Sequence, residues 1–314
     1  MKNVVVIGGG HGQSAICRGI KNIENLNISA IVTVADDGGS TGRLRRQFHI
    51  PAMGDIRNVM ISLAESESLL GNLMDYRFED INGDEQDVAG HNLGNLILTA
   101  LTQQRGSFLE AVQTIGKILN VKGNIIPATT QVITLCAEME DDVIVRGEAN
   151  IPKHHNRIRR VFYDQNVHAV PEAVEALKNA DLIIYGIGSV YTSILPNIII
   201  PEMKEALQTS RARKVYFCNA MTQPGETDGF TMEDHVRALN MHGAPVDEVV
   251  LACDRMPERV LKRYAKQGSI PVLEQVSEHA YTVHHENMLF FADGLIRHDS
   301  KGIERAVINL LEEA

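Results

Sequence analysis

Cysteine is scarce: four in 314 residues, at positions 17, 136, 218 and 253. No two are close enough for a C-x-x-C metal or redox motif. Each stands in an apolar stretch and reads as a small core side chain, and unpaired thiols point to a cytoplasmic location. Long apolar runs are also missing. Nothing approaches the roughly 18 consecutive apolar residues of a membrane helix, so no membrane span is expected. The apolar run at residues 4–7 is too short for a signal peptide and reads as a first strand. Positive charge is in deficit, with 30 Lys and Arg against 40 Asp and Glu and a formal charge of −10. A field of that sign disfavours nonspecific contact with nucleic acid or anionic lipid, but not a small anion in a local basic pocket. No G-x-S-x-G elbow and no Walker A lysine appear, so a serine hydrolase and a P-loop NTPase lack support. The adjacent pairs His154–His155 and His284–His285 do not have the i, i+4 spacing of a helical zinc site.

What is present is an ordinary globular composition, 44% apolar and 22% charged, with ample length for a core. Strands are expected at 3–7, 28–35, 131–139, 143–151, 181–185, 214–219 and 246–253, from β-branched residues bounded by glycine. Stripes at helical spacing run through Ile16, Ile20 and Ile23; through Ile56, Val59, Met60 and Leu63; through Leu93, Leu96, Ile97, Ala100 and Leu101; and through Ile303, Val307, Leu310 and Leu311. Core packing is the ordinary reading of all four. Strand–helix alternation implies an α/β fold with a mostly parallel sheet covered by helices on both faces. Residues 78–90 read as a polar, acidic loop and 123–163 as consecutive strands, an antiparallel excursion at the sheet edge. A single α/β domain over 1–314 is expected, with 78–163 an inserted or peripheral subregion.

The glycines carry the functional signal. After the first strand comes GGGHGQSA, in which Gly10-x-Gly12-x-x-Ala15 fits a relaxed dinucleotide fingerprint; the loop is either a phosphate cradle or a tight β–α turn. A dinucleotide site expects one acid at the end of the second strand. Here the strand runs into ADDGGSTGRLRRQ: paired Asp36 and Asp37, a second flexible loop with Ser40 and Thr41, then Arg43, Arg45 and Arg46. Two carboxylates suit a divalent cation or a general base, and the arginines suit phosphate oxygens or a solvated helix face. This set fits a nucleoside diphosphate better than NAD. Asp55 is a helix N-cap or a third cation ligand, with Arg57 one turn inside. Asn92 and Asn95, in GHNLGN, fit a base or sugar, or a capped helix entry. Gly186, Gly188, Ser189 and Thr192 form another strand–loop–helix anion site, and Asn219 to Asp228 follow a further strand. In a parallel sheet the loops after these strands share one rim. The basic stretch KHHNRIRR (153–160) is a strand edge, a partner surface or a wall of that site.

Taken together, GGGHGQS (8–14), VADDGGSTGRLR (34–45), GDIRN (54–58), GHNLGN (90–95), YTSILPN (191–197) and NAMTQPGETDG (219–229) resemble the bacterial gluconeogenesis-factor family, CofD-like relatives of the 2-phospho-L-lactate transferases. The resemblance implies a Rossmann-like core, a cytoplasmic location, and a UDP-sugar or GDP-type nucleotide ligand with Mg²⁺. In that frame Gly9, Gly10 and Gly12 present N–H groups to phosphate, and Ser40, Thr41, Arg43 and Arg57 extend that set. Asp36, Asp37 and Asp55 hold the cation, and Asp36 and Asp37 are also the catalytic candidates. Gly188, Ser189 and Thr192 make a second phosphate or sugar contact, and Asn92, Asn95 and Asn219 read the base or sugar. Two functions follow from the resemblance: a nucleotide-sugar-binding regulator of cell shape and gluconeogenic carbon use, or a metal-dependent transferase of a phospholactyl-type group. The chain departs from the family pattern at His11, Gln13 and Ile187, beside the expected phosphate contacts. A homo-oligomer is one open alternative for the assembly.

Overall fold

In the first strand, KNVVVIG, four successive residues, Val4, Val5, Val6 and Ile7, are all buried. A strand apolar on both sides is covered on both faces, as parallel sheets require. The protein is described here from a computed structural model covering residues 1–65, 69–79 and 88–312. The strands are β1 (Lys2–Gly8), β2 (Leu26–Val32), β3 (Asn124–Pro127), β4 (Leu135–Met139), β5 (Ile144–Arg146), β6 (Ile158–Tyr163), β7 (Leu182–Tyr185), β8 (Arg213–Phe217), β9 (Glu248–Ala252), β10 (Thr282–Glu286), β11 (Leu289–Ala292) and β12 (Leu295–His298). Seven of them form one sheet in the order β10-β9-β8-β7-β1-β2-β3, with every pairing parallel. From β1 the chain steps outward to β2 and β3; from β7 it steps outward the other way. The reversal falls between β1 and β7, and such a switch point is where open α/β sheets bind ligands, beyond the carboxyl ends of the strands.

Helices pack around this sheet: α1 (Gly10–Ile20), α2 (Gly39–Phe48), α3 (Gly54–Leu63), α4 (Leu69–Asp75), α5 (Leu93–Arg105), α6 (Phe108–Ile118), α7 (Pro171–Lys178), α8 (Leu195–Ile198), α9 (Pro201–Thr209), α10 (Met232–His242), α11 (Glu258–Ala265) and α12 (Ser300–Glu312). Helix α1 packs on α3 and α12, and α7 packs on α9. The expected α/β class is the observed one, with a Rossmann-like core. A small antiparallel sheet, β5-β4-β6, and a β11-β12 hairpin complete it.

Several boundaries differ from the expectation for physical reasons. The second strand stops at Val32, although Val34 and Ala35 are fully buried; burial alone does not distinguish a strand from a loop led through the core. The strand expected at 143–151 is only β5, because Gly147 turns at φ 91° into a 3₁₀ helix, Glu148–His154. Within 123–163 only β4, β5 and β6 are antiparallel, while β3 is the parallel edge of the main sheet. Strand β10, TVHHE, is a mixed polar edge strand with no apolar run to reveal it. Most of the expected loop at 78–90 lies outside the described residues. Helix α5 is packed on two faces: Asn95, Leu98, Thr99 and Thr102 are buried, while half-buried Leu96, Ile97 and Leu101 of the expected stripe also pack on the core, with Leu93 half-buried and Ala100 exposed. Cys17, Cys136 and Cys218 are buried as expected, but Cys253 is exposed, because β9 ends one residue before it.

Candidate functional site

The first glycine loop and the loop after β7 are built to touch. A Cβ on Gly12 would collide with the carbonyl oxygen of Ile187, and one on Gly188 would sit 3.7 Å from the carbonyl oxygen of Gly9. At Gly12 only a residue without a side chain lets the two strand ends approach this closely, whereas Gly188 is set apart by its φ of 149°. Gln13 does not face a ligand. It is fully buried, and its Nε2 donates to the carbonyl oxygens of Val6 and Ile31, both at 2.9 Å, tying α1 to β1 and β2.

Asp55 closes the first loop from the side. It is not an N-cap: α3 has Met53 in that position, and Asp55 lies in the first turn. Its carboxylate accepts from the Gly10 N–H, and a Cβ on Gly9 would lie 2.5 Å from its Oδ2. Burial, and then the charge of Asp36, push its pKa up to about 7. Asp36 accepts from Gly38 N at 2.9 Å and from the Thr41 hydroxyl, and its pKa is also raised, chiefly by burial. Gly54 packs against the same carboxylate, with its Cβ position 3.3 Å from Asp36 Oδ2.

Asp37 turns away from this pair. Its Oδ1 accepts from Ala149 N at 3.0 Å, so it anchors the 3₁₀ segment. That anchoring brings in Glu148, whose placement no local pattern foretold. Burial, then the charges of Asp36, Glu226, Asp37 and Asp55, raise its pKa to about 8. Glu226 comes from the loop after β8, which packs on the same segment: a Cβ on Gly225 would strike the carbonyl oxygen of Pro152. The Ser189 hydroxyl donates to Glu226, and Thr192 Oγ1 lies 3.3 Å from Glu226 Oε2. Both hydroxyls expected to meet a ligand therefore have a carboxylate partner. Ser189 also caps the following turn through Thr192 N at 3.0 Å.

A second polar layer supports the acids. Ser40 Oγ lies 2.9 Å from His91 Nδ1, and Asn95 Nδ2 lies 3.5 Å from both Ser40 Oγ and Thr41 Oγ1. Buried Arg57 donates to Asn95 Oδ1 at 2.9 Å. Asn92 is the α5 N-cap, accepting from Gly94 N at 3.0 Å. Arg43 donates to the Ala89 carbonyl at 2.8 Å. Arg45 is buried and donates to the carbonyl oxygens of Ala35, Asp36 and Ile133, so it holds the Asp36 loop rather than facing solvent or a ligand. Asn219 is held by its own strand end and loop: its Oδ1 accepts from the Tyr216 hydroxyl at 3.3 Å, and its Nδ2 lies 3.4 Å from Gln223 Oε1. In the basic stretch, Arg159 and Arg160 pair with Glu138 on the antiparallel sheet.

Gly9, Gly10, Gly12, Gly188, Asp36, Asp37, Asp55 and Thr41 thus meet around one rim, joined by Glu148 and Glu226. Five mutually repelling carboxylates beside glycine N–H groups are poised for protons or for a cation. The oxygen-only donor set suits a hard divalent ion. Asp36, Asp37 and Asp55 do not converge as a finished cage, however. Among the described residues no three His, Cys, Asp or Glu side chains are gathered to hold a metal by themselves.

The model of the 2-phospho-L-lactate transferase CofD family matches residues 4–289. The chain belongs to the CofD family. Within it, the chain is 42% identical over 316 residues to a protein of Bacillus subtilis (strain 168) named gluconeogenesis factor, covering 99% of this chain and 98% of that protein. It is 43% identical to the gluconeogenesis factor of Halalkalibacterium halodurans, covering 98% and 96% respectively. A crystal structure from Bacillus halodurans, 42% identical, superposes with a TM-score of 0.92 over 98% of this chain and all of that one. Among the described residues, no helix of this CofD-family chain is long and apolar enough to cross a membrane.

Proposed function

We propose that this chain binds a nucleotide sugar, of the UDP-sugar type, and acts as a cytoplasmic regulator of gluconeogenic carbon use and cell shape. The observation that carries this reading is the meeting of two glycine loops at the switch point between β1 and β7, where backbone N–H groups can approach a diphosphate. The name gluconeogenesis factor borne by relatives supports the metabolic setting. A divalent cation such as Mg²⁺ would be held by Asp36 and Asp55 with ligand oxygens, and would offset the repulsion between a diphosphate and the carboxylates. The arginines at 43 and 57 support the loops rather than reaching for phosphate.

The second reading is a transferase of a phospholactyl-type group from a nucleoside diphosphate carrier. Asp55 and Glu148 favour it, since carboxyls with pKa values near 7 and 8 exchange protons at working pH. Thermal-shift titrations with UDP-glucose, GDP and NAD, each with and without Mg²⁺, test the first reading. A UDP-sugar shift that grows with Mg²⁺ and disappears in Asp55→Asn is expected; stabilisation by NAD alone overturns both readings. Release of nucleoside monophosphate from a nucleoside diphosphate-linked donor, lost in Glu148→Gln, would favour the transferase.

A further inference from the structure

At the opposite end of the sheet lies a cavity of about 670 Å³, between α6 and α7. None of the glycine loops or carboxylates described above lines it. Its size is that of a small-molecule site. Its floor is unusual for a parallel sheet. Asn3 of β1 is in register with Asn27 of β2, and Ser29 of β2 is in register with Asn124 of β3. Residues 27 and 29 alternate to the same face, so four short polar side chains cross three adjacent strands on one side. Parallel strands covered on both faces normally present apolar residues there, as this sheet does at Ile7, Ile31 and Ile126 further along the same strands.

These polar groups are not used up within the protein. Asn27 Nδ2 donates to Asn3 Oδ1 at 2.9 Å, and Asn3 Nδ2 donates to the Asn179 carbonyl at 2.9 Å. Ser29 is only 8% exposed, and its hydroxyl has no hydrogen-bond partner among the described residues. The Asn124 amide likewise has none, nor does that of Gln113 on the α6 wall. Ser29 on the floor and the exposed Asn124 and Gln113 at the edge of the cavity thus keep hydrogen-bonding capacity that a polar occupant can use.

The charges decide what kind. The floor carries none. The rim carries both signs, Lys117 on α6 and Glu172 and Glu175 on α7, so no strong field of one sign selects an ion. A charged ligand would be desolvated against the floor with no counter-charge beneath it. Amides and a hydroxyl both donate and accept, which matches a ligand bearing several hydroxyls. The apolar side chains of Val112 and Ile125 supply a surface for its C–H groups. We propose that this trough is a second binding site, distinct from the nucleotide rim, for a small uncharged polyhydroxylated molecule of the sugar or polyol class.

Saturation-transfer NMR with D-glucose, D-xylose and myo-inositol at millimolar concentration tests this, with glycine and methyl phosphate as charged controls. At least one neutral probe is expected to receive magnetisation. Its affinity should fall about tenfold in Ser29→Val, the loss of one buried hydrogen bond, and should be untouched in Asp36→Asn. Gln113→Leu, an exposed change on α6, gives the same readout should Ser29→Val misfold. Silence from all three neutral probes, or a response to the charged controls alone, overturns the proposal. So does an equal loss in Asp36→Asn, which would move the binding to the nucleotide rim. A change in sedimentation from dimer to monomer in Ser29→Val would also overturn it, by making the trough an interface between copies.

Discussion

The two ends of the seven-stranded sheet solve opposite problems with the same strands. At the carboxyl end the backbone does the shaping: Gly12 lets two loops meet at a distance no side chain would permit, and five carboxylates are forced into each other's field. At the amino end side chains do it: Asn3, Asn27, Ser29 and Asn124 replace apolar residues on an otherwise regular ladder. The first arrangement stores electrostatic repulsion and tolerates almost no substitution. The second stores unpaired hydrogen-bonding capacity at little cost to the fold. Stability at the rim should therefore be sensitive to shape and pH, whereas stability at the trough should be sensitive to neither.

The sharpest way to break this contrast is Gly12→Val. Its side chain must displace the Ile187 carbonyl, a backbone group fixed by the β7 end. A loss of about 3 kcal/mol or more is expected in chemical denaturation, together with loss of any nucleotide-induced thermal shift. A near-neutral result would mean that the two loops are not held in contact.

The electrostatic half of the contrast comes next. Glu148 has an ordinary pKa of 4.5 and a folded value of about 8. The folded state therefore holds the proton more tightly between those values, so this contribution is complete below pH 4.5 and is lost as pH rises through 8. Glu148→Gln should remove that loss, making the variant more stable than the parent at pH 9 by on the order of 2 kcal/mol. The same difference should shrink at pH 5. Away from the rim, His298 behaves in the opposite sense. Burial lowers its pKa from 6.5 to about 4, and its Nε2 has no partner. Its unfolded form takes the proton first, so its contribution is present above 6.5 and is lost as pH falls toward 4. His298→Phe should flatten the acid limb of the denaturation midpoint by on the order of 1–2 kcal/mol while leaving the alkaline limb alone.

The sequence carried much of this, unevenly. Glycines adjacent to strands announced the rim, because a backbone that must approach another backbone has a compositional signature. Asp36 and Asp55 were visible for the same reason, as acids beside those loops. Glu148 was not: it reaches the rim only through the bond from Ala149 to Asp37, 112 residues away in the chain. Nor did the sequence reveal that Ser189 and Thr192 are engaged by Glu226, since the partner lies on a different strand end. In α5 the apolar spacing found a face that packs on the core only in part, through Leu96, Ile97 and Leu101, and missed the more deeply buried face that carries Asn95 and Thr99. Strand β10 lacked an apolar run, its His284 and His285 pairing instead with Glu248 and Glu274. Patterns report what a chain buries in water's absence; they do not report which polar groups a distant segment will satisfy.

The smallest expected effect is the most discriminating. Gln13 and Ser29 are both buried polar residues against the same sheet, at 0% and 8% exposure. The Gln13 amide nitrogen is engaged, with two hydrogen bonds to strand carbonyls, while its Oε1 is buried without a partner; the Ser29 hydroxyl makes no hydrogen bond among the described residues. Replacing Ser29 by valine removes a hydroxyl without orphaning a partner, and adds a β-branched side chain that suits a strand. Its unfolding free energy should stay within about 0.5 kcal/mol of the parent. A loss of about 1.5 kcal/mol or more would show that the hydroxyl belongs to the fold's own bonding, and that the polar groups of the amino end hold the sheet together just as Gln13 does.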